Sequence, residues 1–206
     1  MSNIKFTKTQ LRAEQVKLSQ LQKYLPTLQL KKALLQAEVE QAENQLDQLF
    51  VHFDLIQKRI SNYASLLSDK MPSNTLFSST VIQEIKTQSE NIAGVDIPLF
   101  EGVVFAKSKY ALFDTPLWID SAIDGMKELL SAREEIRIVK EKKRLLEKEL
   151  RDVSIRVNLF EKVMIPRTLE NIKKVKIFLG DQQLAAVSQA KVSKRKILQR
   201  KAFDDR

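Results

Sequence analysis

Few residues in this chain of 206 have side chains that could do chemistry, and their spacing does not bring them together. The sequence has one histidine, His52, and no cysteine, which excludes a disulfide, a thiolate metal site and a metal site built from histidines. Acidic residues stand at helical spacing among lysines and arginines, as solvated ion pairs do; they include Glu134, Glu135, Glu147 and Glu149. We interpret His52 as a packing or solvated residue and predict no catalytic centre.

The sequence also lacks the signals of cofactor binding and of membrane insertion. Its four glycines are residues 94, 102, 125 and 180, too far apart for a phosphate-binding loop or a dinucleotide fingerprint. Neither an apolar run of about 20 residues nor the apolar core of a signal peptide occurs. Together with the absence of cysteine, these features predict a cytoplasmic protein without a cofactor or a membrane span, whose membrane association goes through partners.

Two long heptad patterns predict the main elements of the chain. In steps of three and four, the first pattern meets apolar residues everywhere except at Lys32; it comprises Leu18, Leu21, Leu25, Leu28, Leu35, Val39, Ala42, Leu46, Leu49, Phe53, Ile56, Ile60, Tyr63 and Leu67. The second is interrupted at Lys143 and comprises Leu129, Ala132, Ile136, Val139, Leu146, Leu150, Val153, Val157, Phe160 and Met164. Patterns this long predict a left-handed coiled coil. Because the connection is short, we predict that the two helices pair antiparallel within one monomeric chain.

A proline interrupts the second pattern inside the stretch RVNLFEKVMIPRTLENIKKV, residues 156–175. Pro166 costs about 3 kcal/mol in a helix interior, which a long packed helix can bear. Beyond Pro166 we predict that the seam, the packed face of the coiled coil, slips by about one residue; it then comprises Ile165, Leu169, Ile172, Lys176 and Leu179. Pro26 in the first helix predicts a second bend.

The predicted fold class is mainly α, with a small middle segment between the two long helices. Residues 1–70 are predicted to form the first helix, 71–115 the middle segment, and 116–206 the second helix with a basic tail, as one rod-like domain. Within the middle segment we predict a short helix from about Phe77 to Ser89, then a two-stranded hairpin within residues 91–115. Thr115 and Pro116 form a predicted helix start.

Positive charge is concentrated at the two ends of the sequence. Residues 1–24 hold five basic residues and one acid, and residues 187–206 hold seven and two, which accounts for the net charge of +9. The predicted basic tip comprises Lys5, Lys8, Arg12, Lys191, Lys194, Arg195, Lys196, Arg200 and Lys201. Such a tip is either a solubilising end or a contact with an acidic protein socket or a nucleic acid. A coiled-coil scaffold or tether and a basic nucleic-acid-binding coiled coil therefore stay open as alternative functions.

Several stretches resemble the D subunit of the V-type and archaeal A-type rotary ATPases. They are TKTQL near the start, LQLKKALLQAEV in the first helix, GVDIP in the middle and RVNLFEKVMIPRTLENI in the last helix. The most specific element matches the family pattern R-V-N-x-x-E-x-x-x-I-P through Arg156, Val157, Asn158, Glu161, Ile165 and Pro166.

The resemblance implies a non-catalytic central-stalk rotor shaft that transmits torque between a catalytic hexamer and a membrane ring, and so couples ATP hydrolysis or synthesis to proton or sodium transport. The implied partners are catalytic and regulatory subunits of A and B type around the termini, the small F subunit of the stalk near the middle segment, and a membrane-side coupling subunit. Neither nucleic acid nor a second copy of the chain is implied. Expected contacts of the middle segment are Gly94, Val95, Pro98, Val103, Phe105, Tyr110 and Phe113.

Overall fold

The computed structural model describes residues 5–62, 78–106 and 118–204, with side chains up to residue 200. The chain begins with helix α1, Lys8–Ser61, and continues with strands β1, Ile82–Ile92, and β2, Val95–Phe105. Helix α2, Ile119–Leu159, leads through a π-helical turn, Phe160–Met164, into helix α3, Ile165–Asp204. The predicted mainly helical fold with a small hairpin in the middle is confirmed.

Both heptad patterns mark the packed faces of the helices. Every described position of the first pattern, from Leu18 to Ile60, is buried or half-buried, including Lys32. The same holds for the second pattern from Leu129 to Met164. Pro26 lies within α1. Tyr63 and Leu67 lie outside the described residues.

Two compact units divide the described chain. The central unit consists of residues 31–153, and the terminal unit consists of residues 1–30 and 154–206. In the terminal unit the ring centroids of Phe6 and Phe178 are 5.0 Å apart, and Leu21, Val157 and Val175 are buried. The start of α1 therefore packs along α3, as an antiparallel pair requires.

Ion pairs show the antiparallel direction of α1 and α2 in the central unit. Nitrogen–oxygen distances are 2.7 Å for Lys31–Glu149, 3.0 Å for Lys143–Glu43 and 3.2 Å for Arg59–Glu128. From the first pair to the last, the residue number in α1 increases and that of its partner in α2 decreases, so the two helices run in opposite directions. Between them lies an apolar core of Leu46, Ile136 and Val139, against which Leu49 and Phe53 pack.

The hairpin begins earlier in the sequence than predicted. Strands β1 and β2 pair antiparallel from Ile82↔Phe105 to Ile92↔Val95, with two irregularities in register. The predicted helix from Phe77 to Ser89 is therefore wrong over the residues that form β1. Pairing with the Val-, Ile- and Phe-rich β2 satisfies the backbone of this polar segment and overrides its local helical spacing. The predicted helix start at Thr115 and Pro116 lies outside the described residues.

Candidate partner-binding surfaces

The helix around Pro166 changes its hydrogen-bonding pattern just before the proline. The backbone N–H of Ile165 donates to the carbonyl of Phe160, five residues back, and Phe160–Met164 form a π-turn. Pro166 itself has no N–H to donate, and in a regular α-helix its ring would crowd the carbonyl four residues back. The wider turn, which holds one extra residue, accommodates the proline where an α-turn would be strained.

The π-turn also explains how the packed face slips. Up to the end of the turn, Val157, Phe160 and Met164 face inward. After it, Thr168, Ile172 and Val175 are buried, and Leu179 is half-buried. Ile165, Asn171 and Gly180 beside them are also half-buried. Regular spacing from Met164 would have continued to residues 167, 171, 174 and 178, so the slip is one residue, as predicted. Two of the predicted positions are wrong, because Leu169 is 48% exposed and Lys176 is also exposed.

Motif residues divide between the packed face and the surface. Val157 is buried and Ile165 is half-buried, whereas the other four are exposed: Arg156, Asn158, Glu161 and Pro166. The four exposed side chains are accessible for contact with a partner. None of the four is needed to fill the packed face.

Glu14 occupies a packed position that the sequence analysis missed. It lies four residues before Leu18, so it belongs to the same heptad pattern, and only 9% of its surface is exposed. Its Oε1 accepts a hydrogen bond from Gln10 Nε2 at 3.2 Å. Its Oε2 is buried and accepts no hydrogen bond from any described residue. Continuing the heptad pattern one step before Leu18 would have predicted that Glu14 is packed.

A cavity of about 340 Å³ lies beside Glu14 and the π-turn. One wall is apolar and consists of Leu159, Val163 and Met164. The rest is polar and consists of Glu14, Lys17, Arg167, Thr168 and Asn171. The hydroxyl of Thr168 donates to the carbonyl of Met164 at 2.7 Å, so it already uses its one donor.

The terminal unit combines strong positive charge with an apolar surface. Its residues include 18 basic and 6 acidic side chains, a formal charge of +12, whereas the central unit carries 17 and 20, or −3. All described members of the predicted basic tip are exposed; the side chain of Lys201 lies outside the described set. Fifteen of the twenty exposed large hydrophobic side chains among the described residues also belong to this unit.

From residue 181 to residue 200, α3 is exposed at every position. The large apolar side chains here are Leu184, Val187, Val192, Ile197 and Leu198. Five basic residues of the predicted tip alternate with them. Within the described part of the chain, the end of α3 is therefore about 30 Å of exposed helix that another molecule can bind.

The hairpin turn is held by local hydrogen bonds and a positive-φ pair. Ala93 and Gly94 have φ values of 52° and 81°, which suits a tight two-residue hairpin turn. Asn91 donates to Asp96 at 2.7 Å, and the N–H of Gly94 donates to Asn91 Oδ1 at 3.0 Å. A Cβ at Gly94 would lie 4.0 Å from Lys31 Nζ, so the turn lies beside the Lys31–Glu149 ion pair.

Strand β1 is mostly exposed, whereas β2 is mostly half-buried. Val95, Pro98, Val103 and Phe105 are half-buried in β2, where Ile97 is fully buried. Tyr110 and Phe113, the remaining predicted contacts, lie outside the described residues. The exposed strand is thus the part of the hairpin that a partner could reach.

The acidic residues singled out in the sequence lie in ion pairs on the helices. Glu134 lies 2.7 Å from Arg137, Glu147 lies 3.8 Å from Lys143, and Glu149 lies 2.7 Å from Lys31. All three lie in ion pairs, as predicted, but only Glu147 is solvated, because Glu134 and Glu149 are half-buried.

The pKa values of Glu141, Lys143 and Arg144 on α2 are shifted. The hydrogen bond from Lys143 to Glu43 raises the pKa of this lysine, against a smaller lowering by desolvation. On the same turn, the hydrogen bond from Arg144 lowers the pKa of Glu141. Both shifts favour the charged forms, so these groups act as structural ion pairs at neutral pH.

The described residues contain no group of three His, Cys, Asp or Glu side chains that could hold a metal ion. His52 is exposed. None of the helices in the described part of the chain is long and apolar enough to cross a membrane.

Comparison with known proteins identifies the family. A family model of the ATP synthase D subunit matches residues 10–195. The chain belongs to the family of ATP synthase D subunits. It is similar to the V-type ATP synthase D subunit of Chlamydia muridarum, with 45% identity over 97% of this chain and 98% of the relative. For the D subunits of Chlamydia pneumoniae and Chlamydia caviae, identity is 43% and 42%, over 98% and 97% of this chain and 97% and 96% of the relatives. The family model covers nearly all of α1, the hairpin, α2, the π-turn and most of α3 of this subunit.

Proposed function

We propose that this chain is the non-catalytic central-stalk subunit of a V-type or A-type ATPase, working with the other subunits of that complex. It transmits torque between a catalytic hexamer and a membrane ring, and so couples ATP hydrolysis or synthesis to proton or sodium transport. The family membership supports this role, and so does the division of the chain into two units of different surface chemistry.

The single observation that carries the proposal is the surface of the terminal unit. A charge of +12 together with fifteen exposed large hydrophobic side chains fits a socket that is both acidic and apolar. Nucleic acid would complement the charge but not the apolar side chains. We therefore assign the terminal unit to the catalytic and regulatory subunits, with residues 187–206 as the segment that enters furthest.

The hairpin is the proposed contact for the small stalk subunit, with the membrane-side coupling subunit beyond it. Its exposed strand β1 pairs with β2 on one side, and on the other side no described strand pairs with it, so another chain can bind there. The predicted contact residues lie in the turn and in β2, next to this exposed strand, and beyond β2; they are Gly94, Val95, Pro98, Val103 and Phe105, together with Tyr110 and Phe113. We propose that the partner contacts them together with β1. The hairpin belongs to the central unit, so this contact uses residues other than those proposed to bind the catalytic and regulatory subunits.

Affinity purification of the tagged chain from native membranes tests the role. We expect the catalytic and regulatory subunits and a small stalk partner to co-purify with it. A chain without residues 187–206 should fold but hold the catalytic subunits more weakly, because the removed helix is exposed at every described position up to residue 200. A chain with a Gly/Ser loop in place of residues 83–104 should hold them normally and lose the small partner.

Several outcomes would contradict the proposal. Recovery of a homodimer without ATPase subunits would favour a coiled-coil tether, and tight, salt-sensitive DNA binding by the full chain would favour the nucleic-acid alternative. If a complex assembled with the truncated chain rotated normally on ATP hydrolysis, residues 187–206 would not be part of the surface that turns against the catalytic subunits.

A further inference from the structure

Helix α1 carries a second heptad pattern on its solvent-exposed side. Between residues 34 and 55, in steps of three and four, seven positions are exposed and none of them is charged; they are Leu34, Ala37, Gln41, Asn44, Gln48, Val51 and Leu55. We call these residues the outer stripe. All of them belong to the central unit, and they extend over about 30 Å of helix. Packing of α1 on α2 uses the first heptad pattern, so it does not account for this one.

The composition of the outer stripe is unusual for an exposed helix surface. Charged residues make up 30% of the chain, and the outward positions of a coiled coil are where they normally stand. In the described part of the central unit, five large hydrophobic side chains are exposed, and three of them lie on the outer stripe. These are Leu34, Val51 and Leu55, which are 51%, 62% and 57% exposed. Apolar side chains aligned at this spacing are typical of a helix that pairs with another helix.

The spacing of the outer stripe indicates the shape of its occupant. Another α-helix has the rise and the period to follow a heptad line over six steps, whereas a strand or an irregular peptide does not. The apolar residues lie towards the two ends of the stripe, and its middle consists of Gln41, Asn44 and Gln48. Amide side chains in the seam of a coiled coil fix register and orientation at a cost in stability. The stripe therefore suits a helix that docks in one defined position.

The charges on α1 select the chemistry of that helix. From residue 33 to residue 57 the sequence has five acidic residues and neither lysine nor arginine. Glu40, Asp47 and Asp54 follow one another at intervals of seven along one side of the outer stripe, and all three are exposed. Glu40 and Asp54 have no ion-pair partner among the described residues. Lysine or arginine beside the seam of an incoming helix complements this acidic row.

The acidic row also argues against other occupants. If two copies of the chain paired antiparallel through the outer stripe, Glu40 of one copy would face Asp47 of the other, and like charges in such positions are destabilising. Nucleic acid and an anionic lipid surface would be repelled by the same row. A basic helix of a different protein meets neither obstacle.

We propose that the outer stripe is the docking seam for a helix of a protein partner, and that this helix has an uncharged heptad pattern flanked by lysine or arginine. The helix lies along α1 within the central unit. This inference goes beyond the proposed function, because the contacts proposed there use the hairpin and the terminal unit and none of the residues of the outer stripe.

The first test measures the exposure of chosen positions by the reactivity of single cysteines, since the chain has no cysteine of its own. Gln41→Cys and Gln48→Cys place a thiol on the outer stripe. Gln36→Cys and Gln57→Cys are matched controls, because both residues are exposed on α1 but lie outside the stripe. Rates of reaction with N-ethylmaleimide are measured in the isolated full chain and in the complex that co-purifies with the tagged chain.

We expect all four thiols to react at similar rates in the isolated chain. In the complex, the two stripe thiols should react about tenfold more slowly, as for a surface that is covered in about 90% of the complexes, and the control thiols should not. Asp54→Lys combined with Gln48→Cys should lower this protection to about three- to fivefold, because a repulsive charge pair replaces an attractive one. Asp124→Lys, the same change at an exposed position of α2, should leave the protection unchanged.

The second test identifies the chemistry of the occupant. The photoreactive residue p-benzoylphenylalanine replaces Gln48 in the purified complex, and mass spectrometry maps the cross-linked peptide. We expect a segment of another protein with uncharged residues at steps of three and four and with lysine or arginine beside them.

Protection that is confined to the stripe thiols and lowered by Asp54→Lys alone, together with a cross-link to such a basic segment, supports the proposal. Equal rates for stripe and control thiols in the complex, protection of the stripe already in the isolated chain, or a cross-link to an acidic segment or to a second copy of the chain overturns it. Both tests use whichever complex the tagged chain forms. An unprotected stripe therefore leaves the stalk role intact, and a complex without ATPase subunits counts against the stalk role alone.

Discussion

Deleting one residue from the π-turn is the sharpest test of how the terminal unit is built. The turn exists because the packed positions before and after it are out of phase by one residue, or about 100° of helix rotation. If the same residues formed a regular α-helix instead of the π-turn, Ile172, Val175 and Leu179 would turn away from α1. Their burial contributes about 1.5–3 kcal/mol each, which outweighs the roughly 1 kcal/mol of a helical hydrogen bond lost in the π-turn.

Pro166 should therefore be a consequence of the turn and not its cause. In Pro166→Ala we expect the π-turn to persist, because the phase of the packed face is unchanged. Deleting Lys162 in this background removes the extra residue and lets a regular α-helix keep every later seam residue in place. We expect the unfolding free energy to stay within about 1 kcal/mol of Pro166→Ala.

Deletion of Lys173 in the same background is the matched control. Lys162 and Lys173 are both exposed lysines of the terminal unit, so each deletion removes one residue and one charge. Loss of Lys173 puts Val175 and Leu179 out of phase and should cost about 3–5 kcal/mol. Urea unfolding followed by circular dichroism measures both. Equal destabilisation by the two deletions would show that the π-turn is not a phase correction.

Three other changes test single contacts. Glu14→Leu should stabilise the terminal unit by about 1–3 kcal/mol in thermal unfolding, because it removes an unsatisfied buried carboxylate from the packed face; a lower melting temperature would contradict this. Gly94→Val should destabilise the hairpin by about 1–2 kcal/mol because φ is +81° there, and faster hydrogen exchange confined to β1 and β2 would show it. The raised pKa of Lys143 means that its stabilisation is full below the usual lysine pKa and is lost as pH rises through the raised value; Lys143→Gln should therefore flatten the alkaline loss of stability, and an unchanged pH profile would contradict the pairing with Glu43.

The hairpin shows where local pattern failed. Residues 82–89 contain polar side chains at spacings that a helix could also use, and the strand they form depends on β2, which follows in the sequence. Its register is set by cross-strand pairing and by the positive φ of Ala93 and Gly94. A pattern within one segment carries no information about such pairing.

The sequence alone determined the two long helices, their packed faces and the family, because heptad spacing and the motif from Arg156 to Pro166 are local properties that one chain segment carries by itself. It also predicted the one-residue slip beyond Met164. Only the tertiary structure decided that a π-turn absorbs this slip, that Glu14 is buried without a donor for its Oε2 among the described residues, and that a cavity opens beside both. These features depend on which side chains meet across two helices, and that is settled by packing between distant parts of the chain.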